Sequence, residues 1–146
     1  MSKRYTELFI VDILVAIDKI KRYSSDFDDA QSFYHDDKSF DATMRELQII
    51  GEATKHLIQA NLIDETYRII VDFRNVIVHE YFGVDADEIW DILQNELPMF
   101  EKNIYLLLEK SDKNTITHIL QNAQNYYHGN TLLFIKKLYQ KTISNA

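Results

Sequence analysis

The chain has 146 residues, of which 46% are hydrophobic and 27% charged, a balance that suits one packed domain and argues against bulk disorder. Three glycines and one proline are too few for an all-β fold, which needs a turn signal every 8–12 residues or so. The absence of cysteine excludes a disulfide scaffold, a thiolate zinc site and a cysteine nucleophile. The formal charge of −7 opposes a non-specific grip on nucleic acid.

Glu7, Asp12 and Asp18 interrupt the most apolar stretch, so no membrane span is expected. With Lys3 and Arg4 they also spoil a signal-peptide reading. A soluble, cytoplasmic, mostly helical protein is the expectation. Residues 5–23 place Phe9, Ile13, Ile17 and Ile20 at helical spacing, with Leu14 beside them and Asp18 and Lys21 elsewhere, which predicts a long first helix. Ser24 to Asp29 breaks it, and Ala30 to Tyr34 reads as one short turn. Residues 38–60 repeat the pattern with Phe40, Met44, Leu47, Gly51, Thr54 and Ile58. A mid-helix glycine costs roughly 1 kcal/mol against alanine, so Gly51 points to close approach of a neighbouring helix.

After a break at Asn61 to Asp64, a third helix is expected from about Glu65 to Tyr81, ended by Gly83. Asp85 with Glu88 resembles a capping box that opens a fourth. Ile92, Leu97, Phe100, Ile104 and Leu108 form its apolar side, and Pro98 should kink it. Four helices with short links predict an antiparallel four-helix bundle over residues 1–110. Residues 111–146 hold four lysines and one aspartate, net +3, leaving −10 for residues 1–110. Ile116, Ile119, Leu120 and Ala123 suggest one short helix there, Gly129 a break, and Leu132, Ile135, Leu138 and Tyr139 another. This basic C-terminal extension is read first as additional packing; a basic amphipathic stretch can also bind membrane, nucleic acid or a partner helix.

No Glu-x-x-His pair occurs, which a di-iron bundle needs twice. His79-Glu80 lacks the second histidine of a zincin, with Gly83 near that place. His35, His56, His118 and His128 are scattered singly. No metal or other cofactor is expected.

The segment Phe73-Arg74-Asn75-Val76-Ile77-Val78-His79-Glu80-Tyr81-Phe82-Gly83 puts a fixed cation, an amide, an imidazole and a phenol within eight residues. On an ideal helix Arg74 and Tyr81 lie about 340° apart and Asn75 and His79 about 40° apart, but Arg74 and His79 about 140° apart. One straight helix cannot converge all four on a small substrate. Either it unwinds before Gly83, or two copies share a site. The residues also admit a structural reading: Arg74 paired with an acid, His79 capping a helix end, Tyr81 in the core.

The pattern Arg-x4-His-x-Tyr, as Arg74, His79 and Tyr81, resembles the signature of the HEPN superfamily and, within it, of the HepT toxin family. Asp12-Ile13-Leu14-Val15-Ala16-Ile17 is similar to that family's first helix. Arg45-Glu46-Leu47-Gln48-Ile49-Ile50-Gly51-Glu52-Ala53 resembles its second-helix segment, and Asp85, Ile89-Trp90 and Leu97-Pro98 the helix after the motif. The likeness covers roughly residues 4 to 109. Where relatives usually carry Ile-Pro-Trp, this chain reads Glu65-Thr66-Tyr67, so the packing there is expected to differ.

The resemblance implies the toxin of a two-gene toxin–antitoxin system, acting as a metal-independent endoribonuclease at a dimer interface. It assigns catalysis to Arg74 and His79 and substrate positioning to Asn75 and Tyr81. The implied partners are a second copy of the chain, RNA, and a minimal nucleotidyltransferase antitoxin that transfers AMP to Tyr81. The chemistry is compatible: histidine titrates near neutrality, and arginine offers a permanent planar fork to phosphate. The competing expectation is a non-catalytic helical dimer that binds the nucleotidyltransferase or a nucleotide.

Overall fold

A computed structural model describes residues 5–72 and 85–144. Among them there is no strand, and the helices form the expected all-α bundle with a helical C-terminal extension. The helices are α1 (Thr6–Ser24), α2 (Ala30–His35), α3 (Asp37–Gln59), α4 (Ala86–Asp91), α5 (Leu97–Lys110), α6 (Lys113–Ala123) and α7 (Gly129–Ser144). A 3-10 turn, Glu65–Tyr67, leads into helical residues 68–72, and a π-turn, Ile92–Glu96, joins α4 to α5.

α1 is the axis of the molecule. Phe9, Ile10, Val11, Ile13, Leu14, Val15, Ala16, Ile17 and Ile20 are all buried, so its apolar surface extends far beyond one stripe, as befits a helix covered on several sides. Its principal neighbour is α3, and α5, α6 and α7 also pack on it. α3 presents the expected stripe, with Phe40, Met44, Leu47, Gly51, Thr54 and Ile58 all buried. Each fully buried Ile or Leu contributes about 1.5–3 kcal/mol, and these two helices supply most of them.

The break after α3 has a specific construction. Asn61 adopts φ 58°, its N–H donates to the Ile58 carbonyl, and the Leu62 N–H reaches back to Leu57 at 3.0 Å. This pair of bonds is a Schellman motif with asparagine at the left-handed position. The stretch expected as one short turn is the six-residue α2, capped by Asp29, whose side chain accepts from the Ser32 N–H at 2.8 Å. Phe33 makes α2 worth forming: it is fully buried and packs edge-on against Phe27 and Phe40.

The third helix begins differently from the expectation at Glu65. The Asp64 side chain accepts from the Thr66 N–H at 2.7 Å and starts a 3-10 turn instead. Tyr67, within the Glu65-Thr66-Tyr67 departure, still supplies an aromatic contact, its ring 5.1 Å from that of Phe100.

Pro98 acts through the turn before it. The Leu97 N–H donates to the Ile92 carbonyl, five residues back. A proline has no N–H and crowds the carbonyl four residues earlier; widening that turn makes room for its ring. The extra residue shifts the helix phase, so Leu93, not Ile92, enters the core. Leu97, Phe100 and Ile104 are buried as expected, whereas Leu108 is only half-buried.

The C-terminal helices pack on each other and on α1. Ile116, Ile119, Leu120 and Ala123 of α6 and Ile135 and Leu138 of α7 are buried in the same apolar cluster as α1. Asp112 caps α6 through the Thr115 N–H at 3.0 Å, and Gly129, at φ 55°, opens α7. Arg22 of α1 donates to the buried Thr131 hydroxyl at 3.0 Å, across 109 positions of sequence.

Candidate functional site

The four residues singled out in the sequence, Arg74, Asn75, His79 and Tyr81, lie outside the described residues, as does Gly83. The structure describes the two stretches that flank that segment in sequence. Both are tied to the core.

On the entering side, Tyr67 leans on Phe100 and Val71 is buried. Arg68 pairs with Glu65 at 2.9 Å one turn earlier. The Asp64 carboxyl is held below its ordinary pKa by hydrogen bonds from Thr66, so this cap operates throughout the neutral range. On the leaving side, Asp85 accepts from the Asp87 N–H at 2.9 Å and starts α4. Ile89 is completely buried, and Trp90 packs against Phe33 with ring centroids 5.6 Å apart.

Between the two ends runs a groove of about 240 Å³. Leu47 of α3, Ile69 and Ile70, and Ile92 and Leu97 form its apolar lining, while Glu88, Asp91 and Glu96 bring carboxylates to it. Ile69 is 63% exposed, unusual for an isoleucine beside a core. The groove can accommodate an apolar or basic side chain, but its carboxylates repel phosphate. Nothing in the hydrophobic pattern marked it, because Ile92 reaches it only through the phase shift of the π-turn.

Glu46 belongs to the Arg45 to Ala53 segment of α3 that resembles the family's second helix. Its side chain is buried in α3, and desolvation raises its pKa against the attraction of Lys19, Arg45 and Arg22. A carboxylate amid apolar positions of a helix was the available signal. Among the described residues, no group of three or more His, Asp or Glu is arranged to hold a metal ion.

The family model described as Ribonuclease HepT-like matches residues 13–107. The chain belongs to the HepT-like family. The matched span runs from α1 into α5 and includes Arg74, Asn75, His79 and Tyr81 together with both anchored ends. A HepT-like relative in Methanocaldococcus jannaschii, named "Putative RNase MJ0127", is 32% identical over 125 residues, covering 80% of this chain and all of its own. Another from the same organism, "Putative RNase MJ1380", is 28% identical over 110 residues, 73% of this chain and the whole of that one. "Probable ribonuclease HepT" of Thermococcus cleftensis is 33% identical over 101 residues, 66% of this chain and 89% of its own. No solved structure gives a significant match. The HepT-like match stops before α6 and α7.

Proposed function

We propose that this chain is a metal-independent endoribonuclease and the toxin of a two-gene toxin–antitoxin system. The observation that carries the reading is the family match across residues 13–107, a span that contains the complete Arg-x4-His-x-Tyr pattern. The RNase names borne by its relatives agree with it.

In this reading the RNA's own 2′-oxygen attacks the neighbouring phosphorus. The bond to the 5′-oxygen breaks, leaving a cyclic phosphate and a 5′-hydroxyl. His79 moves a proton from the 2′-hydroxyl to the departing 5′-oxygen, a positioned transfer worth roughly 10²–10⁴-fold, and Arg74 binds the charge that builds on the phosphate oxygens. Asn75 and Tyr81 position the substrate. Two copies meet across a two-fold axis, so that Arg74 of one faces His79 of the other. Residues 1–110 form the catalytic unit and residues 111–146 its basic extension.

A nucleotidyltransferase partner silences the toxin by transferring AMP from ATP to the Tyr81 hydroxyl. The Tyr81 oxygen bonds to the α-phosphorus and pyrophosphate leaves. The new phosphodiester then occupies the place of the RNA phosphate and pairs with Arg74 through charge-assisted hydrogen bonds.

Expression of the chain alone tests the reading: growth arrest with RNA breakdown is expected, and cleavage by purified protein should survive EDTA. Cleavage that EDTA stops and a divalent metal restores would overturn metal independence. Mixing Arg74→Ala with His79→Ala chains should recover some activity if the site is shared. Mass spectrometry of silenced protein made with its partner and ATP should show one AMP on Tyr81; an unmodified Tyr81 would leave masking by the partner instead.

A further inference from the structure

The last three helices meet at the C-terminal end of α5 and leave a cavity of about 330 Å³. Tyr105 and Leu108 come from α5, Ser111 from the link, Lys113 from the first turn of α6, and Lys141 and Thr142 from the last turn of α7. Its size is near the lower end of small-molecule sites, which run from roughly 300 to 1,000 Å³. It suits one nucleotide rather than a longer ligand.

The chemistry of the lining is mixed in a definite way. The Lys141 ammonium lies 4.7 Å from the centre of the Tyr105 ring. Among the described residues no ion pair engages Lys141 or Lys113, whereas Lys21 on the same side of α5 is spent on Glu101 at 2.6 Å. The hydroxyls of Ser111 and Thr142 donate to the carbonyls of Leu107 and Leu138, each at 2.8 Å, so towards a ligand they act as acceptors. One carboxylate, Glu109, also lines the cavity, against two lysines. Burial, with Glu101 and Asp18 nearby, raises the Tyr105 pKa, which keeps the phenol uncharged.

A ligand that satisfies this set has an anionic group for the lysines, N–H donors for the hydroxyls and a flat face for the tyrosine. A nucleotide has all three. The groove at Leu47, Ile69 and Ile92 is lined by Glu88, Asp91 and Glu96, and residues 1–110 as a whole carry −10. A phosphate chain therefore finds its cations at the seam with the basic extension. Only an unpaired strand can offer a base to stack in a cavity.

We propose that the α5–α6–α7 seam is a secondary site for single-stranded RNA, where one base stacks on Tyr105 and the flanking phosphates rest on Lys113 and Lys141. Tyr105 lies about 12 Å along α5 from Leu97, where α5 meets the π-turn. The site supplies the affinity that the acidic body withholds. RNA as the ligand rests on the ribonuclease reading, and the site lies outside the span matched by the family model.

The test uses the full chain and a fluorescein-labelled twelve-nucleotide 2′-O-methyl strand, which cannot be cleaved because its nucleophile is blocked. Binding is followed by anisotropy over a range of salt concentrations. Replacing both Lys113 and Lys141 by Ala should weaken binding at least tenfold and reduce the salt slope by about 1.4, since each single-strand phosphate contact contributes roughly 0.7. Tyr105→Leu should weaken binding several-fold with the slope unchanged, and Arg at both lysine positions should retain binding.

Unchanged affinity and slope in the double Ala variant would overturn the proposal, as would a wild-type chain that does not bind the strand. Loss of nucleotidyltransferase binding with RNA binding intact would also overturn it and make the seam a protein surface. Cleavage of unmodified RNA by the wild type, measured in parallel, reports on the ribonuclease reading separately.

Discussion

α1 buries nine of its nineteen residues, whereas α7 buries three of sixteen, and the two helices nevertheless contribute to one apolar cluster. Residues 1–110 are acidic and contain the span matched by the family model, the motif segment included. The α6–α7 pair is basic, lies beyond that span, and covers α1 with a thin layer of Ile116, Leu120, Ile135 and Leu138. The comparison teaches that joining a core and carrying a function are separate demands. A few apolar contacts suffice to dock a helical pair, leaving most of its surface free for lysines.

The largest effect should separate the two regions by activity. His79→Ala should lower RNA cleavage by about 10²–10⁴-fold with the thermal midpoint unchanged, whereas Leu120→Ala should leave the rate of still-folded protein near wild type. An inactive Leu120→Ala protein at full stability would break that separation.

Stability should join what activity separates. Leu120 and Ile104 are both completely buried, one on each side of the seam. Each change to alanine should cost about 2–5 kcal/mol within a single cooperative urea transition. A separate early transition confined to Leu120→Ala would show that α6 and α7 unfold by themselves.

Arg22 links the regions directly, donating to Asp18 at 3.2 Å and to Thr131 at 3.0 Å. Arg22→Ala should cost about 1 kcal/mol, and Thr131→Val should remove part of the same energy. A double-mutant cycle with additive losses would mean the two side chains are not coupled.

The smallest effect concerns pH. Burial raises the Glu46 pKa above its unfolded value, so the folded state binds this proton more tightly. The associated destabilisation is absent below the unfolded pKa near 4.5 and complete above the raised folded value. The exposed caps Asp29, Asp64 and Asp112 have lowered pKa values and act oppositely, losing their contribution as pH falls through their depressed folded values. Glu46→Gln should therefore raise the urea midpoint at pH 7 and flatten its change as the pH falls from 7 towards 4.5. An unchanged pH profile would remove Glu46 from this balance.

Much of the bundle was legible because helix formation is local. The three-and-four spacing of Phe9, Ile13, Ile17 and Ile20, and of Phe40, Met44 and Leu47, marks buried faces, and all are buried. Ile116 to Ala123 and Ile135 to Leu138 were equally readable. Ile92 was not, because a π-turn before Pro98 changed the phase on which the spacing argument depends. α2 was understated because six residues carry too little periodicity, and its reason to form is the distant packing of Phe33 against Phe40 and Trp90. The family was legible in the pattern of Arg74, His79 and Tyr81 and in the segments on either side of it. The exposed Ile69 and the carboxylate-lined groove next to it had no signature in the chain.

The sequence by itself determined the helical class, the long helices, the charge division and the family, since periodicity, composition and motif spacing are properties of neighbouring residues. Tertiary structure alone decided that Leu93 is buried in place of Ile92, that Arg22 meets Thr131, and that Tyr105, Lys113 and Lys141 line one cavity. Those relations join residues separated by a register shift or by tens of positions. They arise from how the helices pack around α1, which no local pattern encodes.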